Sequence, residues 1–382
     1  MPSATEKANS SSRLNPSSWR TVVAPFEKPS TPRAIWQIVN TLVPYAILWV
    51  LMARFHSVSW WISIPLAVLA GGFVIRAFII FHDCGHGSFF KSRKANTIVG
   101  FFCGMLTFTP YYHWRWEHNV HHASAGHLDK RGTGDVRTLT VDEYLECGFW
   151  ARLSYRLERN PFVLFILGPL YLFFIGQRGS SKDASDRERQ SVHTMNLAIL
   201  LMVLVMGSMI GFGTYLFLQF IVMGVAGAAG IWLFYVQHQF EGVYWERGED
   251  WDFAAAALQG SSFYKLPKVF QWFSGNIGFH HVHHLSSRIP NYNLERCHNS
   301  DDLFRSVKPI TLLSSMKSLT FRLWDEPNRQ LVGFKRAREV ALERRSEPKQ
   351  TTENEASTSE QMSGASLIQS AVDKILPHTE GR

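Results

Sequence analysis

Asn196–Phe240 reads NLAILLMVLVMGSMIGFGTYLFLQFIVMGVAGAAGIWLFYVQHQF, and no Asp, Glu, Lys or Arg occurs anywhere from Gln190 to Phe240. As helix the stretch would run roughly 65 Å at ~1.5 Å per residue. That is about twice the ~30 Å hydrocarbon of a bilayer, so it predicts two crossings that turn near Gly211-Phe212-Gly213. Working outward, Ala34–Ala53 (AIWQIVNTLVPYAILWVLMA) is long enough for one span, despite Gln37 and Asn40. Trp60–Phe81 (WWISIPLAVLAGGFVIRAFIIF) makes another, with Arg76 near enough to its end to reach the headgroups. Four crossings are therefore expected. Two shorter apolar segments, Thr97–Tyr112 and Phe162–Gly176, the second interrupted by Pro169, have the length of interfacial or re-entrant pieces.

The rest of the chain fits an all-α integral membrane protein. Its 382 residues average 46% hydrophobic and 18% charged, which conceals an apolar middle between two polar ends. Residues 1–33, rich in Ser and Pro, read as an arm without regular structure; 34–340 form one membrane domain; 341–382 make a polar tail of the disordered type. No cleavable signal peptide is visible at the N-terminus. The four cysteines are scattered without a CxxC pair, so neither a disulfide framework nor a thiolate zinc site is indicated. The net charge of +8 suits basic loops facing anionic lipid better than nucleic acid.

Sixteen histidines are present, and most are bunched. His82-Asp83-Cys84-Gly85-His86 is HxxxH beyond the second span; His118-Asn119-Val120-His121-His122 is HxxHH; His280–His284 repeats HxxHH with His281 in between; His238 stands at the end of the fourth span. On a helix, positions i, i+3 and i+4 share a face, so each box aligns two or three imidazoles. Neutral imidazole is a common ligand for iron, zinc, copper and nickel. His82, His86, His118, His121, His122, His238, His280, His283 and His284 are too many for one tetrahedral ion and suit two ions of four or five coordination. His56, His113, His127, His193, His298 and His378 are read as surface or capping residues.

One site requires every box on one membrane face, which holds only if the two short segments do not cross. The same face carries nearly all the Lys and Arg outside the arm, so it and both termini are expected in the cytoplasm. A metal carrier would instead need histidines along a path through the bilayer.

At these residues the chain resembles the membrane fatty acid desaturases. HDCGHGSFF, HWRWEHNVHH, LDKRGTGD, WLFYVQHQFE, GSSFYKLPK, GNIGFHHVHHLSSRIPNY and FRLWDE are similar to the bacterial acyl-lipid branch, especially its Δ5 type, over about residues 30–335. No HPGG haem segment, the mark of a fused cytochrome b5 domain, occurs. The resemblance implies four spans under a cytoplasmic di-iron cap and an O2-dependent enzyme that introduces a cis double bond into acyl chains of membrane phospholipids. It also implies two Fe2+ ions held by the nine histidines above and electrons from a ferredoxin-like carrier. A related hydroxylase or ketolase would share the metals. Acyl-CoA relatives place an Asn, which holds a metal-bound water, four residues before the last-span histidine; here that position is Phe234. Asn276 stands four before His280, open to that role or to a turn. Asp83 is open to two readings, a hydrogen bond to a ligand ring or a capping role. RGTGD (131–135) lacks a nucleotide-binding pattern and reads as a turn, and Lys130, Arg131 and Lys268 suit either an acidic carrier or a solvated loop.

Overall fold

The computed structural model describes residues 16–346. The expectations for residues 1–15, for the tail beyond 346 and for His378 fall outside them. In chain order come α1 (Pro16–Val23), α2 (Thr31–Phe55), α3 (Trp60–His86), α4 (Arg93–Leu106) and α5 (Tyr111–Ser124). Then follow α6 (Val141–Glu146), α7 (Phe149–Glu158), α8 (Gly168–Phe174), α9 (Asp186–Ile210) and α10 (Phe212–His238). Short helices α11 (Phe253–Gln259), α12 (Lys268–Phe273), α13 (His280–Leu285), α14 (Asn291–His298), α15 (Asp302–Arg305) and α16 (Leu312–Ser315) complete the main unit. A last helix, α17 (Phe334–Ser346), lies mostly in a separate compact unit that begins at Lys335; its Arg336 pairs with Glu343 at 3.0 Å.

Among the described residues four helices, α2, α3, α9 and α10, are long and apolar enough to cross a bilayer. The long uncharged stretch breaks where expected, at Gly211, whose φ of +87° is open to glycine at no steric cost. The α9 start is fixed by a Ser185/Glu188 capping box. Helices α2, α3, α9 and α10 share an apolar core that includes Trp49, Met52, Met195, Tyr215 and Val222. A Cβ on Gly71 would stand 2.8 Å from the Val225 Cβ, so a small residue is needed for α3 to lie against α10.

The two shorter apolar segments are broken. The first comprises most of α4, a turn through Thr107–Pro110 and the start of α5. The second begins with a π-helical turn, Val163–Leu167, and its axis is bent by 64° from α7. Among the described residues five strands of two or three residues, which no sequence pattern announced, stitch the polar cap. Leu139–Thr140 (β1) pairs in parallel with Leu323–Asp325 (β4), and β4 is antiparallel to Gln330–Val332 (β5). Phe263–Tyr264 (β2) pairs in parallel with Pro309–Ile310 (β3).

Two local expectations need correction. Residues 16–33 are not structureless: α1 forms there and buries Trp19 and Val23 against α11 and α13 residues such as Ala254 and Val282. Arg76 does not reach for headgroups. It is buried, donating to Thr41 Oγ1 at 3.1 Å, to Asn40 Oδ1 at 3.3 Å and to the Trp272 carbonyl, with its guanidinium 4.0 Å from the Trp272 ring centre. Hydrocarbon offers a charge no partner, so the polar residues of α2 turn inward to satisfy it.

Candidate metal centre

Helices α3 and α10 end in His82, His86 and His238, while the shorter α5 and α13 lie across those ends. The nine histidines converge in two groups. His82, His86, His118, His122 and His283 form the first; His121, His238, His280 and His284 form the second, and within each the ring nitrogens lie within 4.8 Å of one another. Helical phase explains the split. On α5, His118 and His122 are one turn apart and face the first group, whereas His121 is rotated toward the second. On α13, His280 and His284 face the second and His283 the first.

The ring nitrogens approach as ligands of a common ion do. His122 Nε2 lies 3.1 Å from His118 Nε2 and 3.0 Å from His283 Nε2; His238 Nε2 lies 3.1 Å from His121 Nε2 and 3.0 Å from His280 Nε2. Metal–nitrogen bonds of ~2.1 Å place neighbouring ligands roughly 3.0–3.4 Å apart. The Nε2 atoms of His86 and His284 are buried without a hydrogen-bond partner, a cost that an ion would remove. Burial, helped by the adjacent rings, holds His118, His122, His280, His283 and His284 well below the usual histidine range. These rings are neutral at physiological pH, with lone pairs free. The residues present therefore fit two nitrogen-ligated cations.

Each group has carboxylate or carbonyl support behind its rings. In the first, His82 Nδ1 stands 3.0 Å from Asp83 Oδ1, and Asp83 Oδ2 accepts from the backbone and side-chain nitrogens of Asn291 at 2.6 and 2.8 Å. Gln37 of α2 donates to Asn291 Oδ1 at 3.0 Å, so a polar residue of the first span serves this network. Such partners fix the tautomer and aim Nε2 at the ion. In the second, His121 Nδ1 stands 2.5 Å from Asp135 Oδ1, and His238 Nδ1 stands 3.2 Å from the Gly260 carbonyl.

Asp135 was not foreseen. Its loop is a turn, as read, but one that delivers a carboxylate to the His121 ring, fourteen residues earlier. Gly134, at φ +71°, makes this possible: a Cβ there would stand 3.0 Å from the Glu117 carbonyl and 3.1 Å from the His121 Cβ. A histidine whose Nδ1 needs a partner was the available clue, but nothing in the local sequence says which carboxylate supplies it.

The remaining candidates take other places. Asn276 sits at φ +61°, accepts from Gln271 at 2.9 Å and donates to the Asn291 carbonyl, which makes it a turn residue. Phe234 packs against His121 and His238, with ring centres 5.3 and 5.4 Å away. His281, the intervening residue of the third box, pairs with His298 at 3.1 Å, and both belong to neither group. His127 accepts from the Asp129 amide, His113 accepts from the Ser181 amide, His56 Nδ1 contacts the Ala53 carbonyl, and His193 is exposed. Arg131 pairs with Glu143, Lys268 pairs with Glu295, and Lys130 is exposed.

A cavity of about 660 Å³ opens beside the histidines, within the range of small-molecule sites. His82, His118 and His280 form part of its wall, and apolar residues including Phe78, Leu172, Met223 and Phe234 form most of the rest. Glu117 also lines it, and partial burial pushes that carboxyl up to about 7.

Comparison with known proteins gives this geometry a context. The fatty acid desaturase family model matches residues 59–308. A fatty acid desaturase of Bacillus subtilis is 47% identical over 84% of this chain and 91% of its own length. From Synechocystis, an sn-1 acyl-lipid omega-3 desaturase (ferredoxin) is 27% identical over 68% of this chain and 72% of its own. An sn-1 oleoyl-lipid 12-desaturase of the same organism is 27% identical over 63% and 68%.

Proposed function

This chain belongs to the fatty acid desaturase family, and from that premise we propose that it inserts a cis double bond at Δ5 of acyl chains esterified in membrane phospholipids. Membrane-spanning helices and a desaturase oxidoreductase activity come with the family. The finer reading has His82, His86, His118, His122 and His283 holding one Fe2+ and His121, His238, His280 and His284 the other. The observation that carries it is the convergence of nine histidine rings into two adjoining groups.

When bound, the iron pair supplies O2-dependent oxidation of an unactivated CH2–CH2 unit, beyond the reach of any side chain. In the net reaction the chain loses two hydrogens, a carrier gives two electrons, and with two protons O2 becomes two waters. The protein's part is placement. Asp83, Asp135 and the Gly260 carbonyl fix the tautomers of His82, His121 and His238. Phe78, Trp114 and Phe234 wall the cavity beside the rings, holding an acyl chain and excluding water. The Synechocystis relative is an sn-1 acyl-lipid omega-3 desaturase (ferredoxin), which supports an acyl-lipid substrate and a ferredoxin-like donor here. The concentration of Lys and Arg on the histidine face supports a cytoplasmic site and cytoplasmic termini.

The test is expression in a bacterial host without desaturases, then gas chromatography–mass spectrometry of derivatised lipids. A new cis bond between C5 and C6 is expected, with about two iron per chain in purified protein. Under 18O2 no label enters the lipid. Labelled hydroxy or keto lipid would replace desaturation with the related oxygenation.

A further inference from the structure

The cavity is chemically lopsided. Along α10 its wall runs from Gln237 to Met223, fourteen residues or about 21 Å of helix, and is almost wholly apolar there. Near the histidines the wall changes character and includes Asp135, Arg137, Glu158 and Arg159. Arg137 and Glu158 pair at 3.1 Å with roughly half of each side chain exposed, so the cavity meets solvent at this point. Arg159 lies just inside with only 2% of its surface exposed.

Arg159 is an unusual residue to bury. Its Nη2 donates to Gln239 Oε1 at 2.9 Å, to the Tyr235 hydroxyl at 3.3 Å and to the Phe321 carbonyl at 3.3 Å, and its Nη1 to the Arg137 carbonyl at 3.2 Å. All are neutral acceptors. Its Nε is buried with no partner, and no carboxylate lies within ion-pair distance of Arg159 among the described residues. A guanidinium out of water without an anion is costly. Arg159 is also tied to the metal site, since Gln239 follows His238 directly. Arg137 follows, by two residues, the Asp135 that holds His121.

We infer that Arg159, with Arg137 at the mouth, binds the polar end of the acyl substrate, the ester and glycerophosphate of a phospholipid, and so fixes the position of the double bond by counting from that end. The inference rests on the desaturase reading above and deepens it. Two guanidiniums complement a phosphodiester and an ester carbonyl. Because the polar mouth lies beside the rings while the apolar bore continues about 21 Å beyond, only a short carboxyl-side segment fits between anchor and site. The methyl-side remainder occupies the bore. This predicts oxidation close to the carboxyl end and tolerance of chain length.

The test compares wild type with Arg159→Gln, Arg159→Lys and Arg137→Gln in the desaturase-free host, reading double-bond positions as well as yield per membrane-inserted protein. Arg159→Gln is expected to lower yield about tenfold or more, as for loss of a charge-assisted hydrogen bond, and to spread the double bond over neighbouring positions. Arg159→Lys keeps the charge and restores part of the wild-type position. Arg137→Gln, at an exposed site that folding tolerates, lowers yield about threefold with a smaller spread. A purely structural arginine changes yield but not position, so an unchanged position in all three variants overturns the inference. Failure of wild type to make any unsaturated chain sinks the desaturase reading itself, a different result. After fatty acid synthesis is blocked, new double bonds should appear in phospholipid already made; their confinement to newly synthesised chains overturns the phospholipid anchor.

Discussion

The two histidine groups differ in where they are firm and where they are open. The first uses two rings of α3, and its carboxylate Asp83 is buried and triply bonded to His82 and Asn291. Yet His86, His118 and His122 are partly exposed. The second has four fully buried rings, but its carboxylate Asp135 is delivered by a glycine loop, and His238 leans on a backbone carbonyl. One group has a rigid support and accessible rings; the other has hidden rings and a support held by a turn. Access and rigidity are therefore separate properties of this site.

The largest expected effects erase the contrast. His283→Ala and His121→Ala each remove a ring from one group, and both should abolish unsaturation while leaving inserted protein; near-normal lipid products from either would break the equivalence. The carboxylates should restore it. Asp83→Ala and Asp135→Ala should each cost about 10–100-fold in activity. Only Asp83→Ala should also lower Tm, because it leaves the two buried Asn291 donors unpaired, at ~1–3 kcal/mol each. Equal Tm values for the two variants would remove the distinction between rigid and loop support.

Chelation of the wild type should remove bound metal in two phases, the accessible first group emptying before the second; a single phase would show that exposure does not govern release. pH acts in a known direction. The folded rings of His118, His122, His280, His283 and His284 resist protonation, whereas in the unfolded chain they titrate near 6.5. Below that value the unfolded state binds more protons, so stability of the metal-free protein, full above about 6.5, is lost as pH falls. Thermal melts across pH 5–8 check the sign. Gly134→Ala should cost severalfold in activity, because an added Cβ pushes the loop, and Asp135 with it, off α5. His127→Ala, outside both groups, should leave activity within about twofold, the usual result away from such features.

Much of this was legible because it is local. An uncharged run needs no tertiary knowledge to be assigned to lipid, and a glycine between two such runs marks their turn. The spacing of histidines along α5 and α13 gives their faces directly. What escaped depends on approach between distant segments. Asp135 meets His121 only because Gly134 lets a loop lie on a helix. Arg76 stands where its sequence position alone would let it reach headgroups, and only the fold surrounds it with Asn40, Thr41 and the Trp272 carbonyl. Trp19 sits in a stretch rich in Ser and Pro, and its burial is decided by a groove made far along the chain. Arg159 follows the last turn of α7, where a basic residue is ordinarily solvated, and it is buried only because Arg137, Tyr235, Gln239 and Phe321 meet around it.

Helices α3 and α10 each have twenty-seven residues and terminate in histidines of the two groups. At ~1.5 Å per residue each is about 40 Å long, roughly 10 Å more than the hydrocarbon it crosses. Both pillars thus protrude from the bilayer carrying His82, His86 and His238 at their tips. Tilt is set by packing against neighbouring helices more than by the lipid around them. Because Gly71 lets α3 lie directly against α10, the two pillars hold their histidine tips at one spacing.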